Sequence, residues 1–371
     1  MRFRMSHLWV IYGRTRVRAH ASTGAREYGR TRVRAHASKG ARSAPLQLYS
    51  GMKAAIAPAY GPPEVVRITE LPTPEPKADE IRIRVRCATV NRTDCGFRSA
   101  EYGIIRLFAG LFKPKYPVLG CEFAGEVEAV GRSVTRFTVG DRVFGFDDAR
   151  FGSHAEYRIS KETDALARIP AGISFETAAA ITEGAHYALC DLHAAKLHAG
   201  QRILINGTTG AIGSAAVQLA KHMGAHVTAV CDTKNLDRVA ALGADIVIDY
   251  LNEDIVARGG RYDIVFDAVG KRRYRDFVPV LDADGVFMSS ELGPGAENVT
   301  LALKGWLFRS KKRVLFPIPR IDAAMVEYLG DLTASGAFTP VIDRSYALDD
   351  IVEAYRYVET GMKTGNVLLL P

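Results

Sequence analysis

A turn rich in glycine, between a short apolar run and a helical segment, is the strongest chemical signal in this chain. The apolar run covers 202–205, the helical segment covers 214–221, and the glycines between them follow the spacing Gly207-x-x-Gly210-x-x-Gly213. Free amides in the first turn of a helix, together with the positive end of its dipole, bind anions. Glycines at such positions permit an unusual turn, a close approach to a diphosphate and tight helix–strand packing. The pattern predicts a dinucleotide site, although glycines also end ordinary strands.

Four further apolar runs follow the turn and alternate with helical segments. They cover 227–230, 244–249, 262–267 and 285–288. Near-continuous apolar strands with helices between them indicate a parallel sheet that is covered on both faces. We therefore predict a Rossmann-type domain.

An acidic residue lies at the position that contacts ribose in such domains. Asp232 stands 19 residues after Gly213, and a carboxylate there binds the adenosine ribose hydroxyls of NAD. Lys234 and Arg238 follow closely and could instead pair with the additional phosphate of NADP. From these residues alone, both cofactors stay open.

The composition is that of a globular chain long enough for two domains. It has 371 residues, of which 47% are hydrophobic and 24% are charged. No apolar run reaches the length of a transmembrane helix, so we expect no membrane partner. The five cysteines show no paired spacing, which favours free thiols in a reducing compartment and a cytoplasmic protein.

The formal charge of +8 comes from the first 51 residues. They hold 11 Lys and Arg against one acid, whereas the rest of the chain holds 38 basic and 40 acidic residues. A unit that begins at Tyr12 recurs almost unchanged at Tyr28. This leader could be translated DNA upstream of a start at Met52, an organellar transit peptide, or an arm for RNA or another anionic surface. We expect the leader to be disordered, and we expect no nucleic acid on the core.

Short strands separated by proline and glycine precede the Rossmann-type segment. Residues 80–90 alternate apolar and arginine side chains, which predicts a half-exposed strand. A strand at 123–131 and a turn into another strand at 140–145 complete the pattern of a β-barrel-like domain. The remaining predicted elements are helices within 174–200, 323–332 and 348–359 and a final strand at 366–370.

These motifs together resemble the medium-chain dehydrogenase/reductase superfamily, specifically its zinc-independent quinone oxidoreductase group. The resemblance runs from Met52 to Pro371 and includes MKAAIAPAYGPPEVVRI, VNRTDCGFRSAEYG, PVLGCEFAGEVEAVG and TGNVLLL. It implies an α/β chain in which a GroES-like β-barrel catalytic domain is interrupted by a Rossmann doubly wound parallel sheet, in homodimers or homotetramers. The implied boundaries are 1–51 for the leader, 52–173 for the catalytic domain, 174–318 for the Rossmann domain and 319–371 for the return to the catalytic domain.

The presence or absence of zinc ligands distinguishes two groups within this superfamily. The zinc alcohol dehydrogenases of the superfamily have Cys where this chain has Asn91, and a His-Glu pair where it has Cys121-Glu122. A catalytic zinc needs about three protein ligands and an open position, so we expect no metal. The resemblance then implies NAD(P)H-dependent hydride transfer to a quinone or an α,β-unsaturated carbonyl. In such an acceptor, hydrogen-bond donors can stabilise the negative charge that develops on the oxygen, without a metal ion.

The resemblance also implies four candidate catalytic residues. Asn91 and Asp94 match a motif at the nicotinamide cleft, although Asn91 could simply cap a turn. Tyr102 matches a tyrosine that lines the quinone pocket, or is a loop residue without a role. His186 lies near the nicotinamide ribose position, where it could donate a proton or be a buried interface histidine.

Candidate cofactor residues lie in the Rossmann-type segment and near the C-terminus. Tyr250 matches a cofactor-contacting tyrosine, and Asn366 matches a terminal position near the 2′-phosphate or the nicotinamide. Relatives carry a small residue at the position of Asp232, followed by a basic one, and we favour NADP(H) over NAD(H) because Lys234 offsets the carboxylate. The full predicted set is Gly207, Thr208, Thr209, Gly210, Ala211, Ile212, Gly213, Asp232, Lys234, Tyr250, Val269 and Asn366.

Two other functions stay open from the sequence. The first is an NAD(P)-dependent alcohol dehydrogenase or an enoyl-thioester reductase. The latter needs a basic path for a phosphorylated carrier, for which Arg106, Lys113 and Lys115 are faint candidates. The second is a zeta-crystallin-like structural or RNA-binding protein, which the basic leader would suit.

Overall fold

The computed structural model describes residues 51–101, 103, 105–308 and 313–371. The predictions for the leader and for Tyr102 lie outside the described residues. Within them, the core is built on a six-stranded sheet and a seven-stranded sheet, with a separate two-stranded ribbon. No helix of the described part is long and apolar enough to cross a membrane.

The strands are numbered in chain order. They are β1 (Gly51–Ile56), β2 (Arg67–Pro72), β3 (Glu80–Val90), β4 (Glu122–Val130), β5 (Arg142–Phe146), β6 (Tyr157–Lys161), β7 (Leu166–Arg168), β8 (Arg202–Asn206), β9 (His226–Cys231), β10 (Ile246–Asp249), β11 (Tyr262–Asp267), β12 (Leu281–Ser289), β13 (Arg313–Leu315), β14 (Ile342–Ala347) and β15 (Asn366–Leu370).

The α-helices are numbered in the same way. They are α1 (Arg92–Ser99), α2 (Ile105–Ala109), α3 (Phe175–Ala179), α4 (Thr182–Ala195), α5 (Ala211–His222), α6 (Leu236–Ala241), α7 (Tyr274–Phe277), α8 (Glu297–Phe308), α9 (Ala323–Ala334) and α10 (Ile351–Glu359).

The six-stranded sheet has the order β10-β9-β8-β11-β12-β13, and every neighbouring pair in it is parallel. This arrangement confirms the Rossmann-type domain, and the five predicted apolar runs all lie in it. The edge strand β13 was not predicted, because it has only three residues and follows a basic run in the sequence.

The seven-stranded sheet has the order β14-β15-β3-β4-β5-β7, and β6 pairs with β3. Its pairs are antiparallel except for β14 with β15. The last strand of the chain, β15, pairs with β3, so the C-terminal segment rejoins the sheet formed by the first part of the chain. The α/β fold with a GroES-like part is confirmed, and the exact domain boundaries stay a prediction.

The two sheets approach each other at the glycine turn that follows β8. The Gly365 amide, just before β15, donates to the Thr209 carbonyl at 2.7 Å, and Gly365 forms a parallel bridge with Gly210. On α4, a Cβ added to Gly184 would lie 2.6 Å from the carbonyl oxygen of Ala211, at the start of α5. The segment that leads into the seven-stranded sheet and the helix α4 therefore both contact the backbone around the start of α5, beside the six-stranded sheet.

Candidate active site

The glycine turn between β8 and α5 has the geometry that the spacing predicts. Gly207 has φ of +88°, and an added Cβ would lie 2.1 Å from the side chain of Val269. A Cβ on Gly213 would lie 2.1 Å from the carbonyl oxygen of Gly207, so only glycine lets α5 start this close to the strand. Gly210 differs, because a Cβ there would meet nothing nearer than 3.9 Å.

The start of α5 is open to a ligand. Gly210 is its N-cap residue, and no side chain caps the first turn. The amides of that turn, with the positive end of the helix dipole, provide donors for an anion. The space beside Gly210 and the uncapped turn fit the diphosphate of a dinucleotide.

Two neighbouring cavities meet at this turn. One, which we call the β9-side cavity, has a volume of about 310 Å³ and includes Asp232, Lys234 and Tyr250 in its wall. The other, the α1-side cavity, has a volume of about 320 Å³ and includes Asn91 and Arg92. Both are lined by Gly207, Thr209, Val269, Lys271, Gly361 and Lys363.

Ten of the twelve predicted cofactor residues line these cavities. They are Gly207, Thr209, Gly210, Ala211, Ile212, Gly213, Asp232, Lys234, Tyr250 and Val269. Thr208 lies behind the wall, where its amide and hydroxyl both donate to the carbonyl of Val230, at 3.2 and 3.0 Å. Asn366 is also buried behind it and donates to the carbonyl of Val341 at 3.0 Å.

The β9-side cavity has more positive charge than the sequence analysis anticipated. Asp232 lies 3.6 Å from the ammonium of Lys234 and accepts a hydrogen bond from Asn235. Lys271 and Arg272 also line this cavity, so with Lys234 and the shared Lys363 four cations face one carboxylate. Lys271 and Arg272 were missed because the only signal for them is a short basic run after β11.

Asn91 is the N-cap of α1. Its Oδ1 accepts from the amide of Asp94 at 3.1 Å, and its Nδ2 donates to the Thr89 hydroxyl at 3.3 Å and to Cys121 Sγ at 3.2 Å. The capping interpretation is confirmed. Because Asn91 also lines the α1-side cavity, a contact with the cofactor stays a prediction.

Asp94 is fully buried and lines neither cavity. Its carboxylate accepts from the amides of Asn91 at 3.2 Å and Gly120 at 3.0 Å. Burial raises the pKa of Asp94 to about 7. The residue therefore positions the start of α1, and a direct role in the reaction has no support from its placement.

His186 is buried on α4 and also lies outside both cavities. Its Nδ1 lies 2.9 Å from the carbonyl of Thr182, and its ring packs between Phe146 and Tyr187, with centroids 4.5 Å away. Burial lowers the pKa of His186 to about 4, so the ring is neutral near pH 7. This placement supports the buried-histidine interpretation, and proton donation by His186 stays a prediction.

A buried acid in the α1-side cavity was missed from the sequence. Glu183 lines this cavity and accepts a hydrogen bond from the Thr93 hydroxyl at 2.5 Å. Burial, and then the carboxylate of Glu122, raise the pKa of Glu183 well above its usual range. Lys363 shares the cavity, and burial lowers its pKa. Because these residues come from distant parts of the chain, no local motif predicts the cluster.

The residues at the family's zinc position do not fit a zinc ion. The thiol of Cys121 is fully buried and accepts from Asn91, and burial raises its pKa well above the usual range. The carboxylate of Glu122 already accepts from the hydroxyls of Thr89 and Thr182 and from the amide of Glu183. In the described part of the chain, no group of three or more His, Cys, Asp or Glu is arranged to hold a metal.

The sequence matches two family models, which are described as "Alcohol dehydrogenase GroES-like domain" over residues 77–171 and "Zinc-binding dehydrogenase" over residues 242–369. A chloroplastic quinone-oxidoreductase homolog from Spinacia oleracea is 34% identical over 325 residues, which are 84% of this chain and 95% of that protein. An NADPH-dependent alkenal/one oxidoreductase from Arabidopsis thaliana is 29% identical over 86% of this chain and 80% of its own length.

Among solved structures, the quinone oxidoreductase from Coxiella burnetii superposes with a TM-score of 0.77 at 27% identity. The match covers 87% of this chain and 100% of that chain. The chain belongs to the quinone-oxidoreductase-like group of the medium-chain dehydrogenase/reductase superfamily.

The glycine turn allows stability and cofactor binding to be separated experimentally. Gly213→Ala should lower the free energy of unfolding by about 1–3 kcal/mol, because its Cβ meets the backbone of Gly207. Gly210→Ala should fold normally and bind NADPH more weakly, because its Cβ enters the cavity. Urea unfolding and calorimetric titration of each variant test this. Equal effects of both variants on stability, or unchanged affinity in Gly210→Ala, would contradict the assigned roles.

Proposed function

We propose that the chain is an NAD(P)H-dependent oxidoreductase that transfers hydride to a quinone or an α,β-unsaturated carbonyl. The observation that carries this proposal is the uncapped start of α5, where two cavities meet beside Gly210. Together the cavities offer a site for a long ligand with an anionic centre. The names of the relatives from spinach and Arabidopsis support the two acceptor classes.

The chain's own groups indicate how the cofactor would be held. The amides at the start of α5 would bind the diphosphate, and Asp232 would accept from the ribose hydroxyls of NAD(H), which lacks the 2′-phosphate. Lys234, Lys271 and Arg272 would pair with a 2′-phosphate, which supports NADP(H) over NAD(H).

The α1-side cavity would then receive the reactive end of the cofactor and the acceptor. A bound reduced nicotinamide supplies the hydride, and the acceptor oxygen needs a donor and finally a proton. We propose Glu183 as the proton donor. Burial, and then the carboxylate of Glu122, raise the pKa of Glu183 well above the usual range, which favours the protonated carboxyl, and Thr93 donates to Oε1, which leaves Oε2 for the acidic proton.

The residues predicted from the resemblance keep narrower roles in this proposal. Asn91 would shape the cavity wall, and Asp94 would hold Asn91 in place through the start of α1. Tyr102 and His186 stay candidates for acceptor contacts. Neither is needed for the proton transfer proposed for Glu183.

An oligomer and a cytoplasmic location belong to the same proposal. Leu303 and Leu307 are exposed on α8, which packs beside the edge strand β13, and this apolar side supports a homodimer or homotetramer. The five cysteines are all free, which supports a reducing compartment such as the cytoplasm.

The cofactor preference can be tested by removing the cations of the β9-side cavity. Lys271→Ala/Arg272→Ala should raise KM for NADPH by about tenfold or more and change KM for NADH little, because only NADPH carries the 2′-phosphate. Asp232→Ser should lower KM for NADPH. Steady-state kinetics with both cofactors test this, with Lys77→Ala as an exposed control. Equal losses with NADPH and NADH would contradict the preference.

The proton donor can be tested with Glu183→Gln, which keeps the shape but removes the acidic proton. We expect kcat to fall by about a hundredfold or more, with the dissociation constant for NADPH unchanged. Because the acid acts when protonated, kcat of the wild type should fall as pH rises through its pKa, and the variant should lose this dependence. Glu291→Gln is the matched control, since Glu291 is a second acid in the same cavity with a pKa raised by burial to about 7. A full kcat in Glu183→Gln refutes the assignment.

A further inference from the structure

The segment from Ile105 to Tyr116, which we call the apex loop, exposes large apolar side chains. Leu107 is 68% exposed, Leu111 is 57% exposed and Phe112 is 87% exposed. Phe112 is the most exposed large apolar side chain among the described residues. A cluster of this kind marks a surface that contacts something other than water.

The apex loop is also basic. Arg106, Lys113 and Lys115 lie in it, and the sequence has no Asp or Glu between Glu101 and Glu122. Within the described ranges, none of the three cations pairs with a carboxylate: Arg106 lies over the ring of Tyr60, and Lys115 lies beside the adjacent Tyr116. Since the chain after the leader holds 38 basic and 40 acidic residues, this local positive charge is a feature of the loop itself.

Two hydrogen bonds and a glycine constrain the backbone of the loop. The amide of Lys115 donates to the carbonyl of Ala109 at 2.6 Å, and the Tyr60 hydroxyl donates to the carbonyl of Gly110 at 2.6 Å. Gly110 has φ of +121°, and a Cβ there would lie 2.2 Å from the carbonyl oxygen of Lys113. The bond from Lys115 to Ala109 closes a tight turn, with residues 111–112 near its tip.

An apolar cavity of about 210 Å³ lies behind the same loop. Its wall includes Ala109, Pro114 and Tyr116 from the loop and Phe97 from α1. Arg92, at the other end of α1, lines the α1-side cavity. Phe97 is five positions after Arg92 on α1, so the two cavity walls are about 8 Å apart along the helix axis.

We propose that the apex loop binds the surface of an anionic lipid bilayer. Leu111 and Phe112 enter the boundary between headgroups and acyl chains, and Arg106, Lys113 and Lys115 pair with lipid phosphates. Highly exposed apolar side chains, next to cations that have no carboxylate partner among the described residues, match the interfacial region of an anionic bilayer, whereas a protein partner would need a matching groove. A second copy of this chain is disfavoured because a two-fold contact would bring the same cations together.

This surface contact needs no spanning helix, so it is compatible with the absence of such a helix in the described residues. It also narrows the substrate class. If the proposed function holds, acceptors dissolved in the bilayer would enter through the apolar cavity behind the loop. Lipid binding itself requires no turnover, so its test and the test of the reductase activity are independent.

The first experiment uses a local probe, because the basic leader also attracts anionic vesicles. Phe112→Trp, in a Trp9→Phe/Trp306→Phe background of the full chain that removes both native tryptophans, should shift its emission to shorter wavelength with phosphatidylglycerol vesicles and be quenched by brominated lipid. Val139→Trp is the matched control on another exposed loop, since Val139 is 63% exposed, and should not respond. No response at position 112, or equal responses at both positions, would overturn the proposal.

The second experiment measures vesicle binding by sedimentation. Lys113→Gln/Lys115→Gln should weaken binding to anionic vesicles about thirtyfold, and Leu111→Ser/Phe112→Ser about tenfold or more. The control pair, Val139→Ser/Lys196→Gln, should bind like the wild type. Unchanged binding in both loop variants would overturn the proposal. So would protection of the Trp at position 112 by self-association or by an acidic protein without lipid.

Discussion

The start of α5 can approach β8 only because Gly213 has no side chain. An added Cβ would lie 2.1 Å from the carbonyl oxygen of Gly207, and the close approach that glycine permits brings the uncapped amides of α5 to the end of the parallel sheet. The same turn presents the Thr209 carbonyl to the amide of Gly365, in the segment that leads into β15. The backbone from Gly207 to Gly213 therefore forms the anion site and also connects the six-stranded parallel sheet to the seven-stranded sheet through a hydrogen bond.

Charge divides the cleft on either side of that turn. On the β9 side, Lys234, Lys271 and Arg272, with Lys363 at the border shared by both cavities, line a cavity that has a single carboxylate. On the α1 side, the acid Glu183 is buried beside a half-buried lysine, Lys363. A ligand with a phosphorylated end and a neutral reactive end is thereby given one favoured orientation. This asymmetry suits a reduced dinucleotide in an enzyme of the quinone-oxidoreductase-like group.

Local patterns predicted much of the fold, because apolar periodicity and glycine spacing report on backbone structure directly. The strand from Glu80 to Val90 and the last strand were predicted with their observed bounds. The glycine turn was predicted in place, but α5 begins at Ala211, three residues earlier than predicted, so that Gly213 lies in its first turn. The bounds of β12 were predicted too short, since Leu281–Asp284 carries two acids that interrupt the apolar run. The short edge strand β13 gave no signal.

The candidate site was less accessible from sequence, because its chemistry depends on burial and on residues far apart in the chain. The sequence predicts His186 as a proton donor or a buried histidine, and only its packing against Phe146 shows that it lies in the interior. The environment of Glu183 is equally non-local: burial, and then the carboxylate of Glu122, raise its pKa, and its neighbour Lys363 lies 180 positions away in the chain. Neither environment can be deduced from the flanking residues.

Calorimetric titration of the full chain with NADPH, and separately with NADH, tests the central claim most directly. The account predicts one site per chain for NADPH with a dissociation constant well below millimolar, and weaker binding of NADH. Absence of heat from either nucleotide at millimolar concentration would contradict the anion site at the start of α5, and with it the proposed reaction.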